Sequence, residues 1–238
     1  MSALTSLFDL LYPRTCAGCK GPVEKHDRYL CWNCRAGISV IAPPYCSTCG
    51  NPVEGRIDHT YICYHCADST PHFDRARCAT RYDGTIRSLI QDFKYNKALW
   101  LEDDLGEILK SCVEVHYKVE EIDAVGCVPL FPARQRARGY NQARLLARAL
   151  ACQLRKPMLS RCLVRVRPTP TQTHLTARDR ALNVKGAFEV RSPRAIEGKR
   201  LLIVDDVMTT GATLSECARA LKKAGAESVY MAALARGA

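Results

Sequence analysis

After residue 70, two kinds of apolar pattern follow each other in turn along the chain. Short runs with few polar interruptions are typical of buried strands, and they occur at Arg75–Tyr82, Ile122–Pro129, Lys199–Val204 and Ser228–Ala233. Apolar stripes at helical spacing predict helices after Gly84, over Leu101–His116, over Asn141–Arg155 and after Thr213. Two short segments, Leu163–Arg167 and Glu189–Val190, are strand-like. Strands that alternate with helices predict an α/β domain built on a parallel sheet flanked by helices.

One strand-to-helix junction combines residues that suit a single kind of ligand. Residues 201–213 read LLIVDDVMTTGAT, so the apolar run is closed by Asp205 and Asp206. Free N–H groups at a helix N-terminus bind anions, and carboxylates suit sugar hydroxyl groups rather than phosphate. The junction therefore predicts a ribose 5-phosphate site whose phosphate is contacted by Thr209, Thr210, Gly211, Ala212 and Thr213. The alternative is an ordinary buried strand with an acidic turn and no ligand.

Eight of the fourteen cysteines form four C-x-x-C pairs before residue 67. This spacing lets both thiolates of a pair reach one metal ion, and a tetrahedral zinc ion needs two pairs. We therefore expect two closed, structural zinc sites in a reducing compartment. Their ligands are Cys16, Cys19, Cys31 and Cys34 in one site, and Cys46, Cys49, Cys63 and Cys66 in the other. An interleaved arrangement of the pairs and a set of disulfides are the alternatives.

Two polar segments are candidates for contacts with phosphate. Arg134, Arg136 and Arg138 alternate in a predicted loop after the strand Ile122–Pro129. Arginine presents a rigid fork of donors, so this loop could bind pyrophosphate, although an exposed basic loop without a ligand is the alternative. The second segment, Pro168–Phe188, is long, polar and without regular periodicity, as functional lids often are.

Charge is distributed unevenly along the chain. Pro129–Arg200 contains 17 Lys/Arg and three acids, whereas the rest of the chain has 18 Lys/Arg and 21 acids. This basic region predicts a polyanionic partner, with a solvated basic face as the alternative. No run of eighteen apolar residues predicts a membrane span. Residues 1–11 predict a short amphipathic helix with Leu4, Leu7, Phe8 and Leu11 on one face, and they lack the pattern of a secretory signal.

These motifs resemble two related groups of proteins. LLIVDDVMTTGAT is similar at all thirteen positions to the motif with which type I phosphoribosyltransferases bind phosphoribosyl pyrophosphate (PRPP). Before it come the four C-x-x-C pairs, YDGTIRSLIQDFKY, VPLFPARQRARGYNQA and TPTQTHLTARDRALNVKGAF, in that order. The combination resembles the ComF family of competence proteins, including ComFC and GntX-like proteins, over nearly the whole chain.

The resemblance implies an organisation and a set of ligands. We expect a double zinc-ribbon module over residues 1–70 and a type I phosphoribosyltransferase-like domain over residues 71–238, in the cytoplasm. Asp205 and Asp206 would bind the ribose hydroxyls and residues 209–213 the 5-phosphate, with Mg²⁺ accompanying PRPP. The Arg134–Arg138 loop would meet the pyrophosphate. The Thr171–Asn183 segment, with Gln172, Arg178 and Arg180, would be a mobile loop that covers the site.

The resemblance also implies a role with single-stranded DNA, in natural transformation or in the use of DNA as a nutrient. The few aromatic residues of the basic region, Phe131, Tyr140 and Phe188, favour binding through phosphates. One alternative is an active phosphoribosyltransferase with an unknown acceptor, for which the sequence identifies no catalytic residue. Another is a non-catalytic PRPP-sensing scaffold whose zinc module docks a helicase or another DNA-processing protein.

Overall fold

The computed structural model describes residues 14–24, 27–169 and 177–237. The predicted amphipathic helix over residues 1–11 lies outside this part of the chain. In the described ranges no helix has the length and apolarity needed to cross a membrane.

A four-stranded parallel sheet forms the centre of the larger domain. Its strands are β1 (Arg75–Arg81), β2 (Ala124–Cys127), β5 (Arg200–Met208) and β6 (Ser228–Arg236), and their spatial order is β1-β6-β5-β2. All four occur where the apolar runs predict them. β5 is an inner strand, since Val204 pairs with Cys127 on one side and with Ala232 on the other.

Helices cover both faces of this sheet. The described helices are α1 (Trp32–Ala36), α2 (Tyr64–Asp68), α3 (Gly84–Tyr95), α4 (Glu102–His116), α5 (Pro132–Arg138), α6 (Gln142–Gln153), α7 (Ala177–Val184) and α8 (Ala212–Lys223). α3, α4 and α6 pack on the face that carries Leu202 and Val204. α8 packs on the opposite face, against Leu201 and Ile203. The result is the helix–sheet–helix arrangement that the alternation of elements predicts.

The cysteine-rich module covers the outer edge of β1. Along that edge, Ile41 N donates to Ala79 O at 3.1 Å, Arg81 N donates to Ser39 O at 2.8 Å, and Ala76 N donates to Thr48 O at 2.8 Å. These bonds satisfy backbone groups that an edge strand otherwise exposes to solvent. The module is therefore attached to the sheet through backbone hydrogen bonds.

Two predicted loops contain helices. The arginine-rich segment forms α5, because Pro132 is favoured in the first turn of a helix and Gly139, with φ of 89°, ends it in the left-handed conformation. The polar segment Pro168–Phe188 contains α7 and connects two antiparallel strands, β3 (Leu163–Arg165) and β4 (Phe188–Val190). Residues 170–176 lie outside the described part of the chain, so the predicted covering loop Thr171–Asn183 is described only within α7.

Candidate functional site

The two acids of the β5–α8 junction lie inside β5. The expectation that they close the strand is wrong, because pairing with β6 continues as far as Met208 and Arg236. Successive side chains of a strand point to opposite faces of the sheet. Asp205 and Asp206 therefore face different helices, although they are neighbours in the sequence.

Asp206 faces α3 and forms an ion pair there. Its Oδ2 atom lies 3.0 Å from Nζ of Lys94, and both side chains are largely buried. Burial disfavours the charged form of Lys94, but the nearby acids, Asp206 above all and Asp205, together outweigh this effect, so the pKa of Lys94 is raised. Asp206 is therefore held in place by a cation from the last turn of α3.

Asp205 faces the α8 side of the sheet and is half-buried. Its Oδ1 atom accepts a hydrogen bond of 2.8 Å from the backbone N–H of Asp206. Burial, together with the neighbouring Asp206 carboxylate, raises the pKa of Asp205 to about 8, while Lys94 and Arg165 partly oppose this shift. Arg165, on β3, brings a second cation to this part of the sheet, and its buried Nε has no hydrogen-bond partner among the described residues.

The loop after β5 leads into the N-terminus of α8. Gly211 is the N-cap residue of this helix, with φ of 82°, and has no side-chain oxygen with which to cap it. A Cβ atom on Gly211 would lie 2.6 Å from Cε of Met208. Thr210 Oγ1 accepts a hydrogen bond of 3.4 Å from Ala212 N. An N-terminus whose N-cap residue has no capping oxygen suits a phosphate oxygen.

A groove of about 740 Å³ runs from this loop along α8 to the second cysteine cluster. Thr210, Gly211 and Arg219 line one side of it, and Tyr64 and His72 line the other. The backbone N–H of His72 donates to Ser215 Oγ at 3.0 Å, which ties the segment just after the cysteine-rich module to α8. The module is therefore a neighbour of the candidate phosphate loop.

A second, basic pocket of about 310 Å³ lies between the end of α3 and α5. Its lining consists of Lys94, Tyr95, Lys97, Arg134, Ala137, Arg138 and Tyr140. The Arg138 guanidinium lies 5.1 Å from the centroid of the Tyr95 ring and donates to Gln142 Oε1 at 2.5 Å. Of the three arginines predicted to meet pyrophosphate, Arg134 and Arg138 line this pocket, whereas Arg136 is exposed and does not.

The predicted covering loop is only partly described. Gln172 lies outside the described residues, and Arg178 and Arg180 lie in α7, where the structure describes the backbone at those positions. The end of the segment is attached to α8, because Gly186 N donates to Glu216 Oε1 at 2.6 Å. Arg219 pairs with the same carboxylate at 2.6 Å.

The eight cysteines form two separate clusters, as the sequential arrangement predicts. One contains Cys16, Cys19, Cys31 and Cys34, the other contains Cys46, Cys49, Cys63 and Cys66, and the ligand atoms within each lie within 4.8 Å of one another. The interleaved arrangement is therefore wrong, and all fourteen cysteines are free thiols.

The cluster geometry fits zinc. Tetrahedral thiolates about 2.3 Å from a zinc ion are about 3.8 Å apart. The sulfurs of Cys19 and Cys31 are 3.8 Å apart, and those of Cys49 and Cys63 are 3.7 Å apart. Four thiolates per cluster complete the coordination shell, which is the composition of a structural site.

Sequence reasoning missed Lys94 and Arg165 near the acids, and Tyr95 in the basic pocket. Each belongs to an element that was predicted, but nothing in the local pattern indicates which side chains meet across the sheet. A lysine and a tyrosine in succession at the end of the α3 stripe were the available signal for the basic pocket.

Comparison with known proteins matches both parts of the chain. Residues 7–67 match the family described as "Double zinc ribbon domain", and residues 138–238 match the family described as "Phosphoribosyl transferase domain". Competence protein F of Haemophilus influenzae is 34% identical over 225 residues, which cover 93% of this chain and 96% of the relative. DNA utilization protein YhgH of Escherichia coli (strain K12) is 31% identical over 224 residues, or 87% and 96% of the two chains. Competence protein ComFC of Bacillus subtilis is 27% identical over 208 residues, or 84% and 81%.

Proposed function

Since this chain belongs to the ComF family, with competence protein F, YhgH and ComFC, we propose that it binds PRPP and single-stranded DNA in the cytoplasm. The observation that carries the PRPP proposal is the position of two acids on an inner strand of a parallel sheet, beside a helix N-terminus whose N-cap residue is a glycine. Ligands of such sheets bind at the carboxyl ends of the strands.

Each part of PRPP would have a chemically matched group at this site. The backbone N–H groups at the start of α8 and the hydroxyls of Thr209, Thr210 and Thr213 would hold the 5-phosphate. Asp205 and Asp206 would accept hydrogen bonds from the ribose hydroxyls, with Lys94 fixing Asp206 in place. Arg165, whose buried Nε has no hydrogen-bond partner among the described residues, and Arg134 would offset the charge of the pyrophosphate.

Magnesium would bind together with PRPP. Mg²⁺ prefers oxygen ligands and keeps much of its hydration, so diphosphate and ribose oxygens would supply most of its contacts. Its chemistry would be the neutralisation of pyrophosphate charge. Among the described residues, no cation lies as close to Asp205 as Lys94 lies to Asp206, so Asp205 is the acid that would be available to Mg²⁺.

The DNA part of the proposal rests on relatives and on charge. The relatives are named for competence and for DNA utilization, and the region Pro129–Arg200 has a strong excess of basic residues. Backbone phosphates would supply most of the binding energy, so affinity should fall steeply with salt. Docking of a helicase or another DNA-processing protein by the zinc module stays a prediction.

Phosphoribosyl transfer is the second candidate function. The observation that favours it is the groove of about 740 Å³ beside the phosphate loop, which leaves room for an acceptor. One wall of this groove contains Tyr64 of the cysteine-rich module and His72, which follows the module. Release of pyrophosphate in the presence of candidate acceptors would separate turnover from PRPP binding alone.

Calorimetry with PRPP and Mg²⁺ tests the proposed site directly. We expect binding by the wild-type chain and weaker binding by the Asp205→Asn and Asp206→Asn variants. The control is Asp58→Asn, because Asp58 lies in the cysteine-rich module and pairs with Arg56 on the surface. Equal PRPP affinity in all four proteins would reject the assignment of the acids.

A further inference from the structure

We propose that the basic pocket between α3 and α5 binds one nucleotide of a single-stranded DNA, with the base stacked on Tyr95 and a phosphate contacted by Lys97. The inference rests on the DNA binding proposed above and assigns it a position. It also gives a role to an aromatic side chain outside the basic region of the sequence.

The charge of the pocket suits a polyanion. Four cationic side chains line it, and no carboxylate is among the described residues of its lining. Lys94 is paired with Asp206, and Arg138 is engaged with Gln142 and Tyr95. Lys97 is exposed and has no ion pair among the described residues, so its ammonium group is available to donate hydrogen bonds to a phosphate.

Tyr95 has the properties of a stacking platform. Tyr95 is 66% exposed, whereas the other apolar residues of α3 are buried. The Arg138 guanidinium lies 5.1 Å from its ring centroid, which restrains the ring and adds positive charge beside it. Proteins that bind single strands combine such exposed rings with neighbouring cations.

The backbone presents Lys97 at the rim of this pocket. Its φ of 54° is in the left-handed region, where residues other than glycine are uncommon. A left-handed residue commonly ends a helix, and Lys97 directly follows Asn96, the C-cap residue of α3. On the other wall, Tyr140 donates a hydrogen bond from its hydroxyl to the carbonyl of Phe93, which fixes its position against α3.

The part of this pocket formed by Tyr95, Lys97 and Tyr140 fits a nucleotide better than it fits the pyrophosphate of PRPP, which Arg134 would contact. The volume of about 310 Å³ and the two tyrosines exceed what a pyrophosphate can use, whereas a base needs an aromatic wall. The pocket nevertheless adjoins the proposed PRPP site, because Lys94 lines it and also contacts Asp206. A strand held here would therefore pass beside the sugar-phosphate site.

Substitutions at Tyr95 and Lys97 test the inference by anisotropy with a fluorescent oligothymidine. We expect Tyr95→Leu to weaken binding roughly fivefold to a hundredfold, the effect of losing one stacked base, and Tyr95→Phe to bind as the wild type does. Lys97→Gln should reduce the slope of log affinity against log salt by about 0.7, the value for one phosphate contact. Lys118→Gln is the control, because Lys118 is exposed and pairs with Glu121 away from the pocket.

Calorimetry with PRPP on the same variants separates the two proposals. Unchanged PRPP affinity in Tyr95→Leu, together with lost oligothymidine affinity, supports a nucleotide pocket. Equal loss of both ligands would assign the pocket to PRPP and overturn the inference. If Tyr95→Leu leaves the oligothymidine affinity unchanged, the nucleotide pocket is overturned while the proposed DNA binding stands. If the wild-type chain has no affinity for the strand, both the pocket and the proposed DNA binding are rejected.

Photo-crosslinking provides a readout that does not depend on a folded variant. A single strand that carries 5-iodouracil crosslinks preferentially to rings on which the base stacks. We expect mass spectrometry of the wild-type complex to find the crosslink at Tyr95. Crosslinks restricted to the cysteine-rich module would overturn the inference.

Discussion

Nζ of Lys94 lies 3.0 Å from Oδ2 of Asp206, and this ion pair joins the last turn of α3 to the inner strand β5. The side chains retain 16% and 6% of their exposure, so water screens the pair weakly. Breaking a buried ion pair by removing one partner costs about 3–5 kcal/mol, because the other charge stays uncompensated. The same ion pair therefore stabilises the fold and fixes the position of Asp206 in the candidate PRPP site.

Removal of the lysine alone should be costly. We predict that Lys94→Met lowers the free energy of unfolding by about 3 kcal/mol, as measured by urea denaturation. The double variant Lys94→Met/Asp206→Asn should recover much of this loss, because no buried charge is then left without a partner. If the double variant is as unstable as the sum of the two single variants, the side chains do not act as a pair.

The pH dependence of stability should reveal Asp205. Its pKa is raised to about 8 in the folded chain, chiefly by burial, so the folded state binds a proton more tightly than the unfolded state does. The stability that it contributes is fully present below about pH 4 and is lost as the pH rises towards 8. Asp205→Asn should remove this part of the decline.

Urea denaturation at pH 5 and pH 8 measures this effect as a difference between two proteins. We expect a smaller fall in the free energy of unfolding for Asp205→Asn than for the wild-type chain. Asp58→Asn is the control, since the side chain of Asp58 is 76% exposed and should leave the decline unchanged. An identical fall in the wild type and in Asp205→Asn would show that Asp205 titrates normally.

Gly211→Ala should disrupt the proposed phosphate loop. The φ of 82° is unfavourable for alanine, and the added Cβ would lie 2.6 Å from Met208 Cε. We predict PRPP affinity roughly tenfold lower or weaker still, the loss expected for one charge-assisted hydrogen bond. The measurement is calorimetry with PRPP and Mg²⁺.

Gly198→Ala is a matched control for this prediction. Gly198 also has positive φ, of 66°, but a Cβ there would have no atom within 4 Å. Both variants should lose about 1–2 kcal/mol of stability, whereas only Gly211→Ala should lose PRPP affinity. PRPP binding by Gly211→Ala at wild-type strength would exclude this loop as the phosphate site.

Zinc content should follow the pairing of the cysteine clusters. We predict two zinc ions per wild-type chain, from two clusters of four thiolates. The double variant Cys16→Ser/Cys31→Ser should retain about one ion, because both residues belong to one cluster. Cys16→Ser/Cys46→Ser should retain almost none, and elemental analysis of freshly reduced protein measures all three. Interleaved pairing would give the opposite result for the two variants.

The apolar pattern was sufficient to predict the helices and strands whose buried residues recur at regular spacing. In α3 the residues Ile86, Leu89, Ile90 and Phe93 are buried at helical spacing, as predicted. α5 could not be found in this way, because its residues are largely exposed and form no apolar stripe. Its proline start and glycine end were visible in the sequence and would have predicted it.

The candidate site was only partly predictable for a different reason. The motif of residues 201–213 is local, so its acids and its loop could be identified together. The contact between Lys94 and Asp206 joins residues far apart in the sequence, and it exists because α3 packs on the face of β5 that carries Asp206. The extension of β5 to Met208 likewise depends on pairing with β6, which no pattern within β5 alone shows.

From the backbone bonds between the cysteine-rich module and β1 we expect the solubility of the chain to depend on metal supply. Because a structural zinc site contributes to the folding of its module, chelation should loosen Ile41, Thr48 and Ser39 from the strand. The uncovered edge of β1 could then form backbone hydrogen bonds with a strand of another molecule. We therefore expect the chain to aggregate through the edge of β1 when zinc is scarce.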